Sequence, residues 1–308
     1  MAGNVSALAQ LAGFAFRAAP AFFNQVQAQR KRPVEPAPFT PAPHLWPDSG
    51  LHAAWLGHST VLLKVDGFTI LTDPILSRNC GVRVGPVTVG MKRLIEPALD
   101  FKQLPKIDLI LLSHAHFDHF DLPTLRRLEG RGTAVITATS TSDLLRVKRY
   151  QTVVELGWGA RSRVGPVEVT GLEVRHWGAR MRTDTHRGYN AYLIEAGGRR
   201  VLFGGDTAFT RNFRAVPAVD LAIMPIGAYD PWIAAHCNPE EAWQMAQDCQ
   251  ARCVLPVHHQ TFRLGREGYF EPIERLQEAA ARDADRIVVK RIGQEWTWGG
   301  PLACPYPL

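Results

Sequence analysis

The sequence predicts an α+β sandwich, with sheets at the centre, helices on the outside and two halves that repeat one plan. Three observations carry this. Short apolar runs bounded by turn residues recur from residue 50 to residue 300. One strand–turn–strand pattern occurs twice, each copy ending in an aspartate. Capped helical segments fall between strands, and helices layered outside sheets are the simplest packing of such elements.

Taken in order, residues 1–49 read as an N-terminal segment. Within it, residues 7–23 are apolar but broken by Arg17 and Pro20. They lack the basic flank of a secretory signal and the continuity of a bilayer span. An amphipathic helix, packed on the fold or resting on a membrane surface, fits this stretch and the basic run Arg30, Lys31, Arg32 after it. Six prolines between Pro33 and Pro47 favour an extended connector. The folded domain is then expected over 50–300, with 301–308 as a tail.

The first strand is expected in HAAWLGH and the second in TVLLKVD. Asp66-Gly67 supplies a tight hairpin turn into GFTILTD. The second copy is YNAYLIEAGGRRVLFGGD. Between the copies, KIDLILLSH is apolar on both faces at Leu109 to Leu112, which suits a central buried strand. Asp121 to Leu128 reads as a short helix. Asn238 caps a second, with Pro239 at its first position and Glu241 closing the box, before CVLPVH returns as a strand.

A hydrophobic fraction of 46% over 308 residues excludes disorder throughout and supports a sizeable core. The net charge of +6 suits anionic partners such as phosphodiesters, anionic lipid surfaces or nucleic acid. Five cysteines, Cys80, Cys237, Cys249, Cys253 and Cys304, form no Cys-x-x-Cys pair. They read as reduced thiols of a cytoplasmic protein, with peripheral membrane contact left open.

The chemistry concentrates in Ser113-His-Ala-His-Phe-Asp-His119, directly after the buried strand. Imidazole and carboxylate are ligands that borderline divalent ions accept. On an extended stretch His114 and His116 point to one side, whereas the adjacent Asp118 and His119 do not easily face the same ion. Two neighbouring ions resolve that geometry. Further ligands are expected at other strand ends, where His176, Asp206 and His258 follow LEVR, VLFGG and VLPV.

With His114-Ala-His116-Phe-Asp118-His119, the sequence resembles the metallo-β-lactamase superfamily. Within it, the chain is similar to the branch containing N-acyl-phosphatidylethanolamine-hydrolysing phospholipase D. The strings are Trp55-Leu-Gly-His-Ser-Thr60, Leu71-Thr-Asp-Pro74, His176-Trp177, Gly205-Asp-Thr207, Pro225-Ile-Gly-Ala-Tyr229 and Asn238-Pro-Glu-Glu-Ala242, across roughly residues 50–296. The resemblance implies a four-layer αββα sandwich and two zinc ions, with manganese or iron as alternatives. It implies one ion on His114, His116 and His176, the other on Asp118, His119 and His258, and Asp206 between them. It also implies a substrate-side histidine at His236. Two departures lie near the pocket: a shorter stretch between Tyr229 and His236, and His259-Gln260 where Trp-Gly is expected.

Two close metal ions lower the pKa of a shared water and neutralise charge on phosphoryl or acyl oxygens, so no serine or cysteine nucleophile is needed. Asp118 is expected to ligate and to orient that water. His236 is expected to stabilise the oxyanion or protonate the leaving group. His58 and Asp73 are expected to orient ligands rather than bind metal. The leading function is phosphodiester hydrolysis on a phospholipid or other small molecule. Lactone or small-ester hydrolysis, and a non-hydrolytic metal or redox module, are the alternatives. No separate module suggests specific nucleic-acid binding, and the oligomeric state, a homodimer included, is left open.

Overall fold

The computed structural model describes residues 32–85 and 87–298. The expected helix over 7–23 and the tail at 301–308, with Cys304, lie outside the described residues. The first half contributes β1 (Leu51–Gly57), β2 (Thr60–Val65), β3 (Phe68–Thr72), β4 (Asn79–Val84), β5 (Val87–Lys92), β6 (Leu109–Leu112), β7 (Ala134–Ala138) and β8 (Thr152–Leu156). The second half adds β9 (Arg161–Val164), β10 (Val167–Leu172), β11 (Ala191–Ala196), β12 (Arg199–Phe203), β13 (Leu221–Pro225) and β14 (Cys253–Val257), and β15 (Glu295–Thr297) closes the chain. Three α-helices are described: α1 (Leu122–Leu128), α2 (Pro239–Asp248) and α3 (Glu271–Ala280).

The strands form two large sheets and one hairpin. The first sheet has the order β15-β1-β2-β3-β6-β7-β8, the second β14-β13-β12-β11-β10-β9, and β4 pairs only with β5. The repeated pattern is visible in the pairing. Val65 opposes Phe68 across the Asp66-Gly67 turn in one half, and Ala196 opposes Arg199 across Gly197-Gly198 in the other.

Alternation explains the layers. In the second sheet Tyr192, Ile194, Val201, Phe203, Leu221, Ile223, Cys253 and Leu255 join the core shared with the first sheet. Their neighbours Leu193, Leu202, Ala222, Met224 and Val254 pack instead in a cluster with Trp243 and Met245 of α2 and Ile273 and Leu276 of α3. A period of two sends one set inward and the other under the helices. The result is the sandwich expected from the sequence.

Both anticipated helices keep their caps. Asp121 accepts from Thr124 N at the start of α1. In α2, Asn238 accepts from Glu241 N while the Glu241 carboxylate accepts from Asn238 N. The proline-rich segment does not stand off the domain. Glu35 N donates to Leu94 O, Trp46 Nε1 donates to Glu295, and the Trp46 ring joins the main core. Prolines remove backbone donors, but their apolar rings and the one tryptophan still gain by burial.

Strand direction sets up one active rim. β1 and β3 run alike on either side of the antiparallel β2, and β6 is parallel to β3. In the second sheet β10 and β12 run alike around β11, and β13 and β14 are parallel to β12. The chain beyond the carboxyl ends of β6, β10, β12 and β14 carries His114 to His119, His176, Asp206 and His258, so every predicted ligand follows the carboxyl end of a strand. Carboxyl-end crevices are where α/β sheets habitually hold ligands. No described helix is long and apolar enough to cross a membrane.

Candidate metal centre

The structure gathers His114, His116 and His176 into one group whose ligand-type atoms lie within 4.8 Å of each other. Asp118, His119 and His258 meet in a second such group, which also includes His58. Asp206 stands between the two. Its Oδ2 lies 3.1 Å from His119 Nε2, 3.2 Å from His258 Nε2, 3.8 Å from His176 Nε2 and 3.9 Å from His114 Nε2. The seven residues expected from the sequence therefore share one site.

Neighbouring groups fix which nitrogen each ring presents. His119 Nδ1 donates to Asp73 at 2.7 Å, and His176 Nδ1 donates to the carbonyl of Ala235 at 2.9 Å, which turns both Nε2 atoms toward Asp206. His114 Nδ1 meets Ser113 Oγ at 2.9 Å. Such outer contacts set ring orientation and tautomer. Asp73 itself accepts from Ser113 N and Ser113 Oγ, so its carboxylate is committed to scaffold contacts. His58 Nε2 meets Asp118 Oδ2 at 3.0 Å, while its backbone N donates to Thr261 and its carbonyl accepts from His258 N.

The residues fit a bound metal cation on three grounds. First, His119 Nε2, His258 Nε2 and Asp206 Oδ1 are sealed from solvent yet have no hydrogen-bond partner. Leaving such groups unmatched costs about 1–3 kcal/mol each. Second, His116 Nδ1 lies 2.8 Å from His114 Nε2 and 3.2 Å from His176 Nε2. One ring N–H satisfies one of these two approaches; a cation satisfies all three nitrogens.

Third, the charges are arranged as a cation requires. Burial lowers His114 well below the usual imidazole range, His116 to about 3 and His176 to about 4, so these rings are neutral donors of lone pairs. Burial works against charge on Asp118 and Asp206 as well, but the surrounding imidazoles hold both carboxyls well below their ordinary value. Against the same burial, Asp206 and Asp118 raise His119 well above its usual value and His258 to about 9. Protons on these two rings stand where the carboxylates call for positive charge.

Two contributors were given no role by the sequence. Trp177 walls the site, its ring centroid 4.7 Å from His116 and 4.5 Å from His176. Arg180 donates through Nη1 to the carbonyls of Ala115 and Phe120 and stacks over Phe117, clamping the turn that carries His116 to His119. Nothing in the spacing of Arg180 marks it. His236 reaches the site as expected, with Nδ1 3.8 Å from Asp206 Oδ2. Burial lowers it well below the usual imidazole range, which makes it a neutral N–H donor rather than an imidazolium acid. His259, one of the two departures, stacks on Trp55 at 4.5 Å. None of the four described cysteines forms a disulfide.

Residues 69–259 match the family model described as a beta-lactamase superfamily domain. The chain is 31% identical to N-acyl-phosphatidylethanolamine-hydrolyzing phospholipase D 1 of Caenorhabditis elegans, across 75% of this chain and 70% of that protein. A protein of Rubrobacter xylanophilus named as a metal-dependent hydrolase is 30% identical across 69% of this chain and 83% of its own length. Among solved structures, a metallo hydrolase of Ignicoccus hospitalis superposes with a TM-score of 0.59 at 20% identity, over 80% of this chain and 98% of that one. Fold, site geometry and relatives agree: the chain belongs to the beta-lactamase superfamily and is a metal-dependent hydrolase.

Proposed function

We infer that this chain is a binuclear zinc-dependent phosphodiesterase of phospholipase D type, acting on N-acyl-phosphatidylethanolamine-like lipids. The observation that carries the binuclear reading is Asp206, whose Oδ2 is approached by imidazoles of both ligand groups. The likeness to the worm phospholipase supports the lipid substrate, and the net charge of +6 suits a phosphodiester. Fold likeness alone would not choose the reaction.

In this reading His114, His116 and His176 hold one ion, Asp118, His119 and His258 the other, and Asp206 both. Two zinc ions would supply hydroxide at neutral pH and offset charge developing on the phosphoryl oxygens. The protein's part is placement. Asp118, fixed by His58, is oriented to accept a proton from the attacking water. His236 faces the phosphoryl group as a neutral N–H donor. Trp177 excludes water from one side of the ligand group.

The test is metal analysis followed by turnover of the zinc-loaded protein on N-acyl-phosphatidylethanolamine in mixed micelles, a soluble phosphodiester and a lactone. Two ions per chain and cleavage that releases a phosphatidic acid from the lipid are expected. Faster turnover of the lactone would overturn the phospholipase reading, and failure to take up zinc or manganese would overturn the metallohydrolase site.

A further inference from the structure

The ligand scheme leaves His58 and His236 unassigned; His58 Nε2 is taken up by Asp118 at 3.0 Å, whereas the geometry of His236 matches that of an assigned ligand. His176 Nε2 lies 3.8 Å from Asp206 Oδ2; His236 Nδ1 lies at the same 3.8 Å from the same atom. That separation is too long for a hydrogen bond. Donor atoms that share one zinc at about 2.0–2.2 Å lie roughly 3.3–3.6 Å apart. The observed spacing is close to a shared cation and well outside a direct bond.

Burial points the same way. His236 Nδ1 is sealed and has no partner, whereas Nε2 is not among the sealed, unpartnered atoms. A buried polar atom left unmatched needs an explanation, and the ligand-type atoms of His176, Asp206 and His236 lie within 4.8 Å of one another. The backbone around His236 is also fixed to His176 and to the residue that follows Asp206. The carbonyl of Ala235 accepts from His176 Nδ1, and Cys237 N donates to Thr207 O at 2.7 Å, beside Asp206. His236 N donates to Trp232 O, and the Asn238 cap holds the chain on the other side.

We propose that His236 is itself a metal ligand through Nδ1, on the ion held by His176 and Asp206, with its proton confined to Nε2 on the accessible side. The assignment rests on the binuclear reading above. It gives His236 two linked jobs: the bond at Nδ1 fixes the ring, and the fixed ring aims the Nε2–H donor into the pocket.

The test uses cobalt(II) as the probe, in the full chain and in His236→Ala and the more conservative His236→Gln. Visible absorption reports the coordination shell, and competition with a chromophoric chelator reports affinity. One of the two ions should be held at least about 10–100-fold more weakly in both variants, with a changed cobalt spectrum. The second ion should be held as in the parent, and added imidazole should restore the spectrum of His236→Ala. If both variants take two cobalt ions with the parent's affinity and spectrum while turnover falls, His236 faces substrate only and the ligand assignment is overturned. If the parent chain itself takes fewer than two cobalt ions, the binuclear reading falls and this assignment with it.

Discussion

Asp73 and Asp206 end the two copies of one strand–turn–strand pattern, yet the two carboxylates do opposite work. Asp73 follows β3 directly and is consumed by Ser113 N, Ser113 Oγ and His119 Nδ1. Asp206 stands beyond two glycines after β12, with Oδ1 buried and unpartnered and Oδ2 ringed by imidazoles. Their acidities shift in opposite directions. Burial raises the Asp73 carboxyl, whereas the imidazoles overcome burial and hold Asp206 well below its ordinary value. Gly205 makes the difference possible: its φ is +56°, and a Cβ there would lie 2.8 Å from Asn190 O and 2.9 Å from Ser113 Cβ. Two glycines thus carry the second aspartate across to the first half, where the 114–119 turn waits. A repeated pattern specifies position; the residues met at that position specify chemistry.

The sharpest way to break this comparison is Asp206→Asn. If Asp206 bridges two ions as proposed, an amide cannot replace its anionic oxygen. Turnover should fall well beyond the roughly 10–100-fold typical of an outer contact, with at least one ion lost by elemental analysis. Normal turnover with full metal content would return Asp206 to the status of its counterpart.

How much of this was legible in the sequence follows the same division. The 114–119 segment, Asp206 and His258 could be placed because each closes an apolar run, and α1 and α2 because Asp121, Asn238 and Glu241 are capping chemistry. His176 was placed after a strand reading LEVR, whereas β10 stops at Leu172 and a loop carries the ligand inward. Strands β7 to β9 and the β4–β5 hairpin were not read. Short runs such as Ala134–Ala138 have no periodicity that separates strand from helix. The contacts of His58 with Asp118 and of Arg180 with the ligand turn join residues 60 or more positions apart, and no local pattern encodes them.

Asp73→Asn should give the intermediate effect. Its amide nitrogen would oppose a donor, either Ser113 N–H or His119 N–H, so about 1–3 kcal/mol of stability should be lost. His119 would lose its orienting acceptor, and metal affinity should drop roughly 10–100-fold. Excess zinc should therefore restore much of the activity of Asp73→Asn and little of that of Asp206→Asn. Equal rescue of the two would erase the distinction between a scaffold carboxylate and a bridging one.

The smallest effect is expected at Arg180, which supports the ligand turn without touching Asp73 or Asp206. Its Nη1 donates to Ala115 O at 2.9 Å and Phe120 O at 2.8 Å, so one guanidinium ties together both ends of the turn. Its plane also lies over Phe117 at 4.0 Å. A lysine keeps the charge but has neither the planar fork nor the stacking face. If the clamp matters, Arg180→Lys should weaken metal binding almost as much as Arg180→Ala, by about 10-fold or less, a loss of roughly 1.4 kcal/mol at most. If only positive charge beside Asp118 and Asp121 matters, Arg180→Lys should match the parent. Zinc affinities of the two variants, measured against the same chelator, separate a geometric clamp from an electrostatic one.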